Sequence, residues 1–133
     1  MGKLEKIIRA IKGLSIARFS DTLFYEPELY KAVSNCSLNK IKSLIKSGVD
    51  INECSSNGNT PLHKAIMMEN IPAVRLLLLN RAQLFIQDKK GKTAYELSKS
   101  KTSVQDLFTS DREVELQVAT QALLYKIKFP GRV

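Results

Sequence analysis

Slid along itself by 33 positions, the chain falls on its own pattern. The offset sets Gly58 and Thr60 over Gly91 and Thr93, Ile41 over Val74, Leu44 over Leu77, Ile51 over Leu84, and Ala32 over Ala65. A fixed period of this length marks a stacked array, because one such unit cannot bury its own apolar face and must borrow a neighbour's. The chain is thereby limited to units that share a core across their contacts.

The same offset gathers Ser37, Asn70 and Ser103 into one column. Each precedes a helical apolar pattern: Leu38, Ile41, Leu44 and Ile45; Ile71, Val74, Leu77 and Leu78; Val104, Leu107 and Phe108. Their side-chain oxygens can accept from the free amides of a first turn, so the column predicts three N-caps. Pro72 suits a first turn, where a missing donor costs nothing. Thr60 and Pro61 predict a second kind of helix start, with Thr as cap and Pro in the first helical position. Leu62, Ala65 and Ile66 are expected to face a neighbouring unit, small Ala32 and Ala65 to let helices approach closely, and Leu76 to Leu79 to be buried on most sides.

The run Gly58-Asn59-Thr60-Pro61-Leu62-His63-Lys64-Ala65, recurring with this period, resembles the ankyrin repeat and its T-P-L-H-x-A signature. Gly48-Val49-Asp50-Ile51-Asn52 looks like the end of such a repeat, and Gly91-Lys92-Thr93-Ala94-Tyr95-Glu96-Leu97 like the start of another. The resemblance covers residues 26–109. It implies an all-α solenoid of helix-turn-helix units with hairpin-like loops, capped by N- and C-terminal helices, and a structural His63 whose ring nitrogens bond backbone within and between repeats. Four kinds of departure stand out. Arg81 occupies the usual Gly at the end of an outer helix, and Cys36 and Glu69 occupy the usual Gly between paired helices. The third repeat has Ala94 for Pro, Glu96 for His and Ser98 for Ala. The first has Pro27 in place of Thr.

Residues 1–25 and 110–133 flank the repeats within a single domain spanning 1–133. Leu4, Ile7, Ile8, Ile11 and Leu14 form an amphipathic stripe over 3–19 with Lys3, Lys6, Arg9 and Lys12 largely elsewhere. This predicts a cap helix over the first repeat; the alternative is a peripheral binder of anionic membrane, or less readily of nucleic acid. At the other end, Ser110 and Glu113 have capping-box spacing, and an apolar helical pattern runs to about Lys128 before Pro130 and Gly131. A C-terminal cap helix is expected; the alternative is a segment that docks a partner, and the alternation over Val114–Val118 leaves a minor strand reading open.

The chemistry available to 133 residues with one His and two Cys is narrow. His63 has no nucleophile, carboxylate or further ligand at useful spacing, and no phosphate-binding loop occurs. No enzyme, metal or cofactor is expected. Apolar runs are too short for a transmembrane helix, and basic residues interrupt any signal-like stretch. Cys36 and Cys54 are too few for a disulfide framework, so a reducing, cytoplasmic compartment is expected. Lys outnumbers Arg 15 to 6, a composition that points toward an AT-rich genome and a host-cell target.

Binding of another folded protein is what remains, as adaptor, inhibitor or effector. The resemblance places partner contacts at the fingertips and the concave side of the inner helices: Ser56, Asn57 and Asn59; Met67 and Met68; Gln87, Lys89, Lys90 and Lys92; and Lys101. The net charge of +8 divides unevenly, with +4 in residues 1–19 and +4 in 56–110 but −1 in 20–55. The lysines of the third repeat are expected to steer an acidic edge of the partner.

Overall fold

A computed structural model describes Lys3 and residues 24–131. The amphipathic stripe expected over 3–19 lies, apart from Lys3, outside the described residues. Between residues 24 and 131 the chain forms seven helices: α1 (Glu28–Ser34), α2 (Leu38–Lys46), α3 (Pro61–Met67), α4 (Ile71–Leu79), α5 (Ala94–Ser98), α6 (Thr102–Ser110) and α7 (Arg112–Lys128). Among the described residues, extended pairing is limited to one bridge between Gln87 and Thr93. The first six helices pair as α1–α2, α3–α4 and α5–α6; inner helices α1, α3 and α5 pack side by side, as do outer helices α2, α4 and α6. This is the all-α stack that the resemblance to the ankyrin repeat implies.

The α1–α2 and α3–α4 pairs each turn through a left-handed residue, and another such residue ends α4. Cys36, Glu69 and Arg81 have φ of 54°, 53° and 69°, the positions where sequence comparison expects Gly. The backbone keeps the glycine conformation because the same two bonds close each helix end. Ser37 N–H donates to Ala32 O and Cys36 N–H to Val33 O; Asn70 and Glu69 repeat the arrangement on Ala65 and Ile66, and Ala82 and Arg81 on Leu77 and Leu78. Satisfying the last carbonyls this way offsets the roughly 1–2 kcal/mol that a Cβ costs in that region.

The helix starts are less uniform than the Ser37, Asn70, Ser103 column predicts. Asn70 caps α4 by accepting from Ala73 N–H at 3.4 Å. Ser37 occupies the cap position of α2 but makes no side-chain cap bond. α6 begins two residues early, at Thr102, which puts Lys101 in the cap position without a side-chain bond. Ser103 is therefore inside the helix, and its hydroxyl donates instead to Glu69 Oε1 of the preceding turn at 2.8 Å. The Ser110–Glu113 capping box is also corrected: α6 runs through Ser110, and Asp111 caps α7 by accepting from Glu113 N–H and Val114 N–H. A carboxylate can hold two amides and bind Arg75 of α4 at once, as Asp111 does. Pro27 precedes α1 in its cap position. Val114–Val118 is helical, so the strand alternative falls.

The buried apolar residues form one cluster running from Leu29 and Val33 through Ile41, Leu62, Ile66, Val74, Leu77 and Leu84 to Val104 and Val114. Ala32, Ala65 and Ser98 share a column, and all three are buried. The Ser98 hydroxyl is tolerated there because it donates to Tyr95 O. α7 lies against α4 and α6. Its Gln121 amide grips the loop after α4 from both sides, accepting from Leu84 N–H at 2.8 Å and donating to Ala82 O at 2.9 Å. Tyr125 stacks on Phe85 of that loop, centroids 4.3 Å apart.

Candidate binding surface

Two tight fingers project from the ends of the inner helices. In the first, Ser55 N–H donates to Asn59 O and Gly58 N–H to Ser55 O, both at 2.8 Å; in the second, Asp88 N–H donates to Lys92 O and Gly91 N–H to Asp88 O, both at 2.9 Å. Gly58 and Gly91 hold φ of 77° and 79° in these turns. Backbone bonds link finger to finger: Ser56 N–H donates to Tyr25 O at 2.8 Å and Lys89 N–H to Asn57 O at 3.2 Å. The approach is close enough that a Cβ on Gly58 would stand 2.9 Å from Lys89 N. The tips are thus a fixed row rather than separate loops.

His63 sets the spacing of that row. It is fully buried. Thr60 N–H donates to its Nδ1 at 3.1 Å, Thr60 Oγ1 lies 2.8 Å from the same nitrogen, and Nε2 lies 3.1 Å from Lys92 O. A carbonyl only accepts, so the proton belongs on Nε2 and Nδ1 is the acceptor. His63 N–H completes the cap by donating to Thr60 Oγ1. Both ring nitrogens are engaged, one within the unit and one to the next, which leaves none for a substrate.

The side chains named from sequence divide into two rows. Ser56, Asn57 and Asn59 belong to the first finger, and Gln87, Lys89, Lys90 and Lys92 to the second, in contact through Asn57 and Lys89. Met67 and Met68 lie at the far end of α3, and Lys101 follows the far end of α5. Between the rows stand the lengths of the inner helices, so Lys101 is at the opposite end of α5 from Lys92. Both methionines are 38% exposed. In the second finger Asp88 Oδ1 accepts from the backbone N–H of Lys90 and Lys92, at 2.9 Å each. The only carboxylate of that tip is committed to the backbone beside three exposed lysines.

Residues 29–78 match the family model for ankyrin repeats (many copies). The chain is an ankyrin-repeat protein. It is 38% identical over 80 residues to BRCA1-associated RING domain protein 1 of Caenorhabditis elegans and 34% identical over 82 residues to the ankyrin repeat and LEM domain-containing protein 1 homolog of the same organism. These stretches are 59% and 62% of this chain, and 11% of each nematode protein. It is also 29% identical over 94 residues to an ankyrin repeat protein of Rickettsia bellii (strain RML369-C), covering 69% of this chain and 52% of the relative. Ankyrin repeats are generally non-catalytic protein–protein interaction modules. Among the described residues, no cluster of three His, Cys, Asp or Glu side chains could hold a metal, and no helix is long and apolar enough to cross a membrane.

The ankyrin geometry adds residues that the sequence reading passed over. Subtracting 33 from Asn57 and Asn59 gives Phe24 and Glu26, so Phe24, Tyr25 and Glu26 belong to the same row. Phe24 is 75% exposed, and Tyr25 hydroxyl donates to Glu53 Oε1 at 2.6 Å. The period carried this signal, but the poor match of the first repeat hid it. On the concave side, Lys64 Nζ lies 5.9 Å from the Tyr30 ring centroid. Burial, then Glu26, raises the Tyr30 phenol above its ordinary pKa, with Ser55 and Asn59 pulling the other way. Cys54 is likewise held up by burial, then by Asp50 and Glu53, which disfavours a reactive thiolate.

Proposed function

We propose that this chain is a non-catalytic adaptor, inhibitor or effector that binds a folded partner through its fingertips and the concave side of its inner helices. The observation that carries the reading is the backbone-locked fingertip row, whose chemistry changes from Phe24, Tyr25 and Glu26 through Ser56 and Asn57 to Lys89, Lys90 and Lys92. A rigid row loses little entropy on binding, and its gradient fits a partner with an apolar contact at one end and an acidic edge at the other. Met67 and Met68 supply adaptable apolar contacts on the second row. The lysine-rich composition supports a host-cell protein as that partner.

Affinity capture with the full chain followed by mass spectrometry identifies the partner. Lys89→Glu combined with Lys90→Glu and Lys92→Glu should slow association and remove most of its salt dependence, while Met68→Asp should abolish capture. Capture unchanged in both variants refutes this surface.

A further inference from the structure

α7 is apolar on two opposite sides. Val114, Val118, Gln121 and Tyr125 recur at i, i+4, i+7 and i+11 and face the repeats. Leu116, Thr120, Leu123 and Ile127 recur at the same spacing two residues later, which is about 200° around a helix. This second stripe faces outward: Leu116, Leu123, Leu124 and Ile127 are 66%, 60%, 60% and 70% exposed. Its 4-3-4 spacing is that of a coiled-coil seam, and small Ala119 and Thr120 near the middle permit close approach. Beside it, a cleft of about 650 Å³ opens between Gln117, Leu124 and the loop carrying Arg81, Gln83 and Phe85.

The charges along α7 decide which helix fits. Its first turns carry Glu113 and Glu115 against Arg112, while Asp111 is taken up by Arg75; its last turn carries Lys126 and Lys128 with no acid. A second α7 laid antiparallel on the seam matches acid with base at both ends, whereas a parallel one opposes like charges. We propose that α7 is a self-association surface, on which two copies of this chain pair through antiparallel α7 helices about a two-fold axis between Thr120 and Leu123. The register that sets Leu116 against Ile127 of the second copy sets Thr120 against its Leu123 and brings Glu115 beside its Lys128. The interface is isologous and closes at two. A helix roughly 25 Å long buries on the order of 1,000 Å² in total, at the low end for specific association, so the dimer should dissociate in the micromolar range. Because α7 packs on the outer helices, pairing leaves the fingertips free, and each dimer presents two of them.

Sedimentation equilibrium of the full chain from low to high micromolar concentration should give a reversible shift from monomer to dimer mass. Leu123→Glu with Ile127→Glu should hold the chain monomeric throughout with unchanged circular dichroism, since both side chains are exposed. Glu113→Lys with Glu115→Lys should weaken pairing about tenfold, as should Lys126→Glu with Lys128→Glu. Mixing these two charge variants should restore a dimer containing one of each. A chain that stays monomeric at every concentration overturns the proposal, including the case where another protein covers the stripe. So does a dimer indifferent to the Leu123 and Ile127 changes, and failure of the mixed charge variants to pair overturns the antiparallel arrangement.

Discussion

The second and third repeats start their inner helices at the same register and finish the job differently. In the second, Thr60, Pro61 and His63 form a reciprocal cap, and the His63 ring reaches on to Lys92 of the next finger. In the third, Thr93 still caps by accepting from Glu96 N–H at 3.1 Å, but Ala94 replaces Pro, exposed Glu96 replaces His, and α5 is only five residues long. The loops diverge in step. Asn52 Oδ1 accepts from Gln83 N–H of the following loop, while 33 residues later the same column holds Phe85, which stacks on Tyr125 and packs against Tyr95. The ankyrin histidine and asparagine work between repeats and need a following unit. Where α7 comes next instead, aromatic stacking and the Gln121 amide replace them.

His63→Ala is the hardest test of this contrast. It opens a cavity and strands Thr60 N–H and Lys92 O, and should cost about 3 kcal/mol in urea unfolding. Glu96→Ala, in the same column, should stay within about 0.5 kcal/mol. Comparable losses at the two sites would dissolve the distinction. The fingers offer a second pairing. Gly91→Ala meets only the left-handed backbone, since nothing lies within 4 Å of the new Cβ, and should cost about 1 kcal/mol. Gly58→Ala adds the clash with Lys89 N and should cost about 2–3 kcal/mol, the excess measuring how tightly finger packs on finger.

Gln121→Ala should cost about 1–2 kcal/mol by removing partners from two backbone groups of the loop after α4, and hydrogen exchange at Leu84 should accelerate. Cys36→Gly should move stability the other way, by up to about 1 kcal/mol, because it relieves the left-handed Cβ of an exposed side chain at the cost of unfolded-chain entropy. The smallest effect belongs to Asp111. Its hydrogen bond to Arg75, then those from Val114 and Glu113 N–H, hold its pKa below the ordinary aspartate value. A depressed folded pKa contributes stability above the unfolded value that is lost as pH falls through the folded one. Asp111→Asn should therefore destabilise slightly near neutrality and flatten the acid limb of a pH–stability curve below about pH 4; an unchanged limb would show that the Arg75 bond is not formed in solution.

The repeat region was legible because its features are periodic and local. Thr60 and Pro61 carry their helix start in their own chemistry, and the resemblance to the ankyrin repeat marks Cys36, Glu69 and Arg81 as standing in glycine positions. The caps at Ser103 and Ser110 were not legible. Whether α6 starts at Thr102 or two residues later depends on where Glu69 stands, and whether Ser110 or Asp111 opens α7 depends on Arg75, 36 residues away. The fingertip row was half legible: the period places Asn57 and Lys90 together and also reaches Phe24, but the poor match of the first repeat hides that step until the Tyr25–Ser56 backbone bond joins Phe24–Glu26 to the row.

By itself, then, the sequence determined the units, their order, the glycine-like turns and the lysines of the last finger, because periodicity and backbone preference act within a few residues. Tertiary structure decided the rest. It set Met67, Met68 and Lys101 apart from the fingertips by the length of the inner helices, and it chose which of two equally apolar faces of α7 meets the repeats. That choice follows from Val114, Gln121 and Tyr125 finding partners in α4, α6 and the Phe85 loop, which no pattern within α7 can encode.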